Sequence, residues 1–187
     1  MRILFVNCVN FLESTPTEGI TLLSAILKEH GHEAEVFDTA FLKPKNYLAD
    51  KKKANKKKWV SGIAFYKETP YALEDLVTDD PEVDVIEKFT EKIKEFNPTL
   101  IAVSTMSRNF RRSLGLIKKV RPSCKVIFGG VHPTLVPEDV LCQRQVGFVC
   151  VGEGDNALVE LCDCLEKGRD PTNIKNLYVK LKQGRSN

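Results

Sequence analysis

Long apolar runs and secretion signals are missing from this sequence of 187 residues. No stretch approaches the roughly 20 consecutive apolar residues that a membrane-spanning helix needs, so we expect no membrane partner. The first residues, MRILFV, run straight into a strand-like segment without a cleavable leader. Both absences favour a cytoplasmic protein.

Cysteine pairs with C-x-x-C spacing are also missing, and Cys162 and Cys164, two residues apart on a predicted helix, point to different faces. The chain has six cysteines but no C-x-x-C motif, and several cysteines lie inside apolar runs, where a free thiol behaves as a small hydrophobic group. Nothing in this pattern indicates a secreted disulfide framework. The pattern also argues against a cysteine-bound metal or iron–sulfur cluster within the chain.

One segment accounts for the positive sign of the net charge. The formal net charge is +3, yet residues 51–58 (KKKANKKK) hold six lysines, so the charge is negative without them. Such a run is typical of a solvated loop, although it also suits contact with a polyanion such as RNA. Because no aromatic residue beyond Trp59 interleaves with the run and no RNA-binding signature accompanies it, we expect no nucleic-acid partner.

Apolar runs alternate with helical patterns along most of the chain. The predicted strands cover 1–6, 33–37, 100–104, 125–128, 147–151 and 176–182. The predicted helices run from a capping box at Thr15 and Pro16 to a stop at Gly31, and over 83–97, 108–120, 137–142 and 155–166. Buried strands joined by helices predict an α/β domain with a doubly wound, mostly parallel sheet of five strands, Rossmann-like or flavodoxin-like.

The predicted domain covers residues 1–182 and is interrupted once. Residues 38–81 form a long insertion after the second strand, and they hold the lysine run, an aromatic patch and an acidic patch. At the other end, the strand over 176–182 is followed by a Gln183-Gly184 turn. We interpret residues 183–187 as an uncompleted hairpin or an artificial end of the chain.

Ligands of doubly wound sheets bind beyond the carboxyl ends of the strands, so the loops there form the candidate site. These loops are rich in glycine and short polar side chains, which leave the backbone open to a bulky ligand. G-x-x-x-x-G-K-[ST] and G-x-G-x-x-G phosphate loops are missing. The candidate residues are Asn7, Cys8, Thr17, Gly19, Ser104, Thr105, Met106, Gly129, Gly130, His132, Pro133, Gly152, Glu153 and Gly154.

Four motifs in this order resemble a known family. They are PTEGITLLSAILKEHGH (16–32), IAVSTMS (101–107), IFGGVHPT (127–134) and FVCVGE (148–153). Together they resemble the cobalamin-binding domain at the N-terminus of cobalamin-dependent radical S-adenosylmethionine enzymes, from residue 3 to about residue 181. The resemblance implies cobalamin as cofactor and partner, with Ser104-Thr105-Met106 and Gly129-Gly130 lining the pocket of its nucleotide tail.

The sequence departs from the wider cobalamin-binding pattern in two places. The loop from Asn7 to Leu12 has no D-x-H-x-x-G motif, so a histidine ligand to cobalt is not expected, as in the radical S-adenosylmethionine branch. The cluster motif C-x-x-x-C-x-x-C is also missing. The resemblance therefore implies the binding part of a longer enzyme, with S-adenosylmethionine and a [4Fe–4S] cluster held by a C-terminal domain that catalyses methyl transfer or related radical chemistry.

Several roles stay open at this point. His132 either contacts the corrin edge or bonds to backbone near Pro133, and Glu153 either bonds to ligand amides or caps the next helix. Cys8 fits a buried thiol as well as a site residue. At the level of function, a regulatory or interaction domain without cobalamin and a nucleotide-binding α/β domain are the alternatives.

Overall fold

The computed structural model describes residues 1–9, 18–40, 42–43, 45 and 83–181. The strands are β1 (Arg2–Asn7), β2 (Glu33–Asp38), β3 (Leu100–Ser104), β4 (Lys125–Gly129), β5 (Phe148–Cys150) and β6 (Leu177–Val179). The helices are α1 (Glu18–Glu29), α2 (Val85–Phe96), α3 (Ser107–Val120), α4 (Val131–Leu135), α5 (Pro137–Leu141) and α6 (Asp155–Glu166). The capping box at Thr15 and Pro16, the lysine run 51–58 and most of the long insertion lie outside the described residues.

The strands form one six-stranded sheet in the order β2-β1-β3-β4-β5-β6. Strands β1 to β5 pair in parallel, whereas β6 pairs antiparallel with β5. The predicted doubly wound α/β class is confirmed, and the order of the first five strands is the flavodoxin-like one, which reverses direction between β1 and β3. The strand predicted over 176–182 is present as β6 and adds a sixth strand to the predicted five.

The strands are continuous apolar runs because helices cover both faces of the sheet. Along β1, Ile3 and Phe5 face the layer of α1 and α6, while Leu4 and Val6 face the layer of α2 and α3. This alternation follows from the two-residue period of a strand. The two layers divide the core into two apolar clusters, one on each side of the sheet.

Local signals place most helix ends where the sequence predicts them. Gly31, with φ of +80°, follows α1, and Asn97, with φ of +46°, closes α2. At its start, α2 is capped by Asp84, whose carboxylate accepts hydrogen bonds from two backbone N–H groups of the first turn. The short helix α4 was not predicted, because VHPTL reads as a loop. No helix in the described part of the chain is long and apolar enough to cross a membrane.

Candidate functional site

A groove opens at the carboxyl edge of the sheet, between α1 and α6. It encloses a cavity of about 200 Å³. The floor is formed by side chains of the central strands, among them Phe5, Ala102 and Ile127, which belong to the core cluster on this face. Leu23 of α1 and Leu158 of α6 line the two walls. The groove lies where a doubly wound sheet binds its ligand.

The structure brings half of the predicted site residues to this cavity. Those that line it are Gly19, Ser104, Gly129, Gly130, Gly152, Glu153 and Gly154. Those that lie outside its lining are Asn7, Cys8, Thr105, Met106, His132 and Pro133. Thr17 lies outside the described residues. The lining residues come from four different chain segments, which the parallel sheet gathers at one edge.

The two residues at the end of β1 face other parts of the fold. The side-chain amide of Asn7 donates a hydrogen bond to Asp38 at 3.0 Å, which joins the ends of β1 and β2. Cys8 is buried in the core cluster beneath α2 and α3. Burial raises the pKa of the Cys8 thiol, and the nearby Arg112 opposes this only in part. At neutral pH Cys8 is a protonated core thiol.

The backbones after β3 and β4 pack directly on each other. Thr105 donates its N–H to the carbonyl oxygen of Gly129 at 3.0 Å, and its own carbonyl oxygen accepts the N–H of His132 at 3.3 Å. Gly130 has φ of +98°, and a Cβ atom there would lie 2.9 Å from the Thr105 oxygen. Gly130 is therefore required by the protein's own backbone. Gly129, beside it, borders the cavity without such a restriction.

His132 belongs to a small polar and aromatic cluster beside the groove. Its Nδ1 atom lies 3.1 Å from the Ser107 hydroxyl, and its ring centroid lies 4.2 Å from that of Phe110. Phe110 in turn packs edge-on against Phe128 of β4. The ring of His132 is therefore held by α3.

Thr134 joins the loops after β4 and β5, although it is not among the predicted site residues. Its hydroxyl donates to the carbonyl oxygen of Gly130 and accepts the N–H of Gly152, both at 2.9 Å. We expect Thr134→Val to remove both bonds and to lower the free energy of unfolding by about 1–2 kcal/mol. Urea denaturation measures this loss. Thr134→Ser keeps the hydroxyl, so equal losses in the two variants would contradict the assigned role.

Cys150 is a cavity residue that sequence reasoning missed, because it reads as part of a buried strand. Burial, together with the nearby carboxylates of Asp155 and Glu153, raises the pKa of the Cys150 thiol to about 11. Since the thiolate is the reactive form, we expect iodoacetamide to modify Cys150 very slowly at pH 7.5 and faster as the pH approaches 11. Peptide mass spectrometry, with exposed Cys142 as the reference, measures the rates. Rapid modification of Cys150 at pH 7.5 would show that the thiol is not shielded.

The charges of the cavity oppose a polyphosphate. Among the described residues that line it, the charged side chains are Glu153 and Asp155, and both are acidic. The remaining lining is apolar side chains, glycines and the Ser104 hydroxyl. Such a site suits a ligand with a large apolar part and neutral hydrogen-bonding groups rather than a nucleoside triphosphate.

The apolar walls were the other part of the site that the sequence did not reveal. Ile20 and Leu23 recur at helical spacing in α1, as does Leu158 with its neighbours in α6, so the pattern predicted core positions. The structure confirms that these faces turn towards the sheet. Near the carboxyl edge the two helices leave the cavity between them. The spacing of apolar residues predicts which face of a helix is buried, but it does not predict a gap between two buried faces.

The sequence matches one protein-family model. Residues 71–162 match the model described as the B12 binding domain. Among curated proteins, the anaerobic magnesium-protoporphyrin IX monomethyl ester cyclase of Rubrivivax gelatinosus is 26% identical over 119 residues, which take in 59% of this chain and 21% of the cyclase.

Solved structures of two proteins share the fold over 98% of this chain. The radical S-adenosylmethionine methyltransferase TsrM from Kitasatospora setae superposes with a TM-score of 0.66 at 17% identity, and 29% of TsrM is covered. The cobalamin-dependent S-adenosylmethionine radical enzyme OxsB, solved with aqua-cobalamin bound, gives a TM-score of 0.61 at 18% identity, with 21% covered. The chain thus spans less than a third of the length of the cyclase, of TsrM and of OxsB.

Proposed function

We propose that this chain, which carries a B12-binding domain homologous to those of radical S-adenosylmethionine enzymes, holds cobalamin at the carboxyl edge of its sheet. The observation that carries the proposal is the groove between α1 and α6, with an apolar floor and a rim of glycines. Cobalamin combines a bulky aromatic nucleotide tail with many neutral amides, and this chemistry matches the groove. OxsB, which has the same fold, was solved with aqua-cobalamin bound.

The nucleotide tail is the part that the groove fits. Its base would lie against the apolar floor of Phe5, Ala102 and Ile127, which offers contacts without buried charge. The Ser104 hydroxyl and the backbone beside Gly129 offer the hydrogen bonds that fix its orientation. The corrin ring would then lie over the strand ends, outside the groove.

The chain's own part in the chemistry is to bind and orient. Cobalamin, when bound, supplies the transfer of an alkyl group or a radical through its cobalt. The described side chains that line the cavity are mainly apolar, and the Cys150 thiol is protonated at neutral pH, so no activated nucleophile faces the groove. The domain would exclude water from the tail and present the exposed corrin face to a reaction partner.

We further propose that this partner is a radical S-adenosylmethionine domain carrying a [4Fe–4S] cluster, in the same full-length polypeptide. OxsB and TsrM are both radical S-adenosylmethionine enzymes by name, and this chain covers 21% and 29% of their lengths. The larger part of each enzyme therefore lies outside the region that this chain matches, which supports a further domain. The range 1–182 would then be one domain of an enzyme for methyl transfer or related radical chemistry.

The positions of the histidines predict that no histidine of this chain binds cobalt. The chain has three histidines. His30 and His32 lie at the end of α1 and the start of β2, at the opposite edge of the sheet, and His132 stacks on Phe110. Because the nucleotide base would lie in the groove and no histidine is placed to replace it at cobalt, we expect the electron paramagnetic resonance spectrum of bound cob(II)alamin to lack nitrogen splitting. His132→Gln should leave the spectrum unchanged. Nitrogen splitting that disappears in His132→Gln would identify His132 as a ligand.

Retention of the cofactor tests the proposal directly. Purified protein is mixed with hydroxocobalamin, desalted and examined by visible spectroscopy, with circular dichroism to confirm folding. We expect about one corrin per chain, and weaker retention of dicyanocobinamide, which lacks the nucleotide tail. Folded protein without corrin absorbance would refute the proposal for this domain. Thermal stabilisation by nucleotides alone would favour the nucleotide-binding alternative.

A further inference from the structure

We propose that His32, Asp163 and Glu166 form a binding site for one divalent transition-metal ion, with Zn²⁺ as the best match. The three residues lie at the amino edge of the sheet, opposite to the groove. His32 directly precedes β2, and the two acids lie in the second half of α6. The proposal is independent of cobalamin binding.

The spacing of the three side chains suits a small ion. One ligand atom from each residue can be chosen so that all three lie within 4.8 Å of one another. The Nε2 atom of His32 lies 3.8 Å from an Asp163 carboxylate oxygen. Two ligands of a tetrahedral Zn²⁺, with bonds of about 2.0–2.2 Å, are about 3.4 Å apart. Small rotations of the two acids, which lie at the protein surface, are enough to reach this geometry.

The imidazole supplies a second and independent observation. The His32 side chain is only 2% exposed, and its Nε2 atom has no hydrogen-bond partner. A buried polar atom without a partner is costly, and nearly all such atoms in folded proteins are satisfied. A metal ion between His32 and the two carboxylates would satisfy Nε2.

The surrounding groups hold the three side chains in place. The other ring nitrogen of His32, Nδ1, lies 3.0 Å from the amino group of Met1, which also donates to Glu166 at 2.9 Å. Because Nε2 binds an ion only when the imidazole proton is on Nδ1, the amino group of Met1 must turn away from Nδ1 towards Glu166 when the ion binds. Lys167 donates to the second oxygen of Asp163 at 2.9 Å, so the oxygen nearer to His32 is the one that faces the site. Outer partners of this kind orient metal ligands.

The position of the site gives the ion a structural role. Helix α6 has 12 residues and so extends about 18 Å. Its second half carries Asp163 and Glu166, whereas its first residue, Asp155, lines the groove. An ion that joins α6 to the start of β2 would therefore stabilise the helix that forms one wall of the groove.

Calorimetric titration of tag-free, chelator-treated protein with Zn²⁺ alone tests the proposal. We expect one ion per chain. His32→Gln should abolish binding, and Asp163→Asn and Glu166→Gln should each weaken it about tenfold or more, since even the loss of outer partners costs this much. Matched controls are His30→Gln, an exposed histidine beside the site, and Glu160→Gln, an exposed acid of α6; both should bind Zn²⁺ as the original protein does.

The two acids make the test decisive even if His32→Gln fails to fold, because the side chains of Asp163 and Glu166 are 40% and 51% exposed. Folded wild-type protein that does not bind Zn²⁺ would overturn the proposal. Unchanged affinity in both acid variants would overturn it too, as would an equal loss in His30→Gln. Co²⁺ provides a second readout, since its visible ligand-field bands should change with His32→Gln and not with His132→Gln.

Discussion

Gly19→Trp is expected to weaken cobalamin binding more than about 100-fold, or about 2.8 kcal/mol, while the protein stays folded. Gly19 is the second residue of α1 and lines the cavity. A Cβ atom at Gly19 has no heavy-atom neighbour within 4 Å, so the indole extends from open space at the rim without disturbing the core. The bulk of the ring then competes with the nucleotide tail for the groove.

Gly19→Ala is the matched control. Alanine favours the helix by up to about 1 kcal/mol relative to glycine and adds little volume, so stability should rise slightly and binding should persist. Cobalamin retention and thermal melting of both variants separate blockage from unfolding. Full retention by a folded Gly19→Trp protein would mean that the cofactor does not use this groove. Cobinamide, without the tail, should bind the tryptophan variant and the original protein alike.

Gly130→Ala is expected to destabilise the protein itself, with or without cofactor. The residue has φ of +98° and ψ of −166°, a region that is essentially restricted to glycine. Forcing alanine into it costs about 1–3 kcal/mol, and the added Cβ would also lie 2.9 Å from the Thr105 carbonyl oxygen. We expect a loss in the free energy of unfolding at or above the upper end of this range.

Gly129→Ala provides the comparison, because the neighbouring residue lacks both restrictions. The nearest atom to a Cβ there is the Cβ of Cys150 at 3.8 Å, an ordinary contact. Chemical denaturation of the cofactor-free variants should therefore show a much smaller change for Gly129→Ala. Equal stability of the two variants would contradict the distinction drawn between the paired glycines.

The fold could be predicted because its signals are local and repeated. Helix α6 begins and ends at the predicted residues 155 and 166, and each predicted strand is present with a shift of at most two residues in the first five strands. The position of β6 at the edge of the sheet, antiparallel to β5, could not be predicted, because the sequence of a short strand does not determine which strand it pairs with. Helix α4 was not predicted either, because His132 and Pro133 after a glycine pair are typical of a loop.

The cavity could be predicted at the level of loops and not of side chains. The rule that ligands bind at strand ends points to the edge where Gly129 and Gly152 line the cavity, because it depends only on the direction of the strands. Which way a side chain points after the strand ends depends on the loop backbone, and so Cys8 and Thr105 turned away into the fold. The contribution of His132, Thr17 and the other predicted residues to cofactor binding stays a prediction, as does the cytoplasmic location.

The cavity lining and the core cluster on the same face share residues, among them Phe5, Ile127 and Leu158. A ligand in the groove would therefore complete the hydrophobic core, and its affinity would add directly to the free energy of unfolding. The cofactor-free form should open its α1–α6 layer more often, and proteases cleave chains through such open states. The lifetime of this protein in a cell should then depend on its supply of cobalamin.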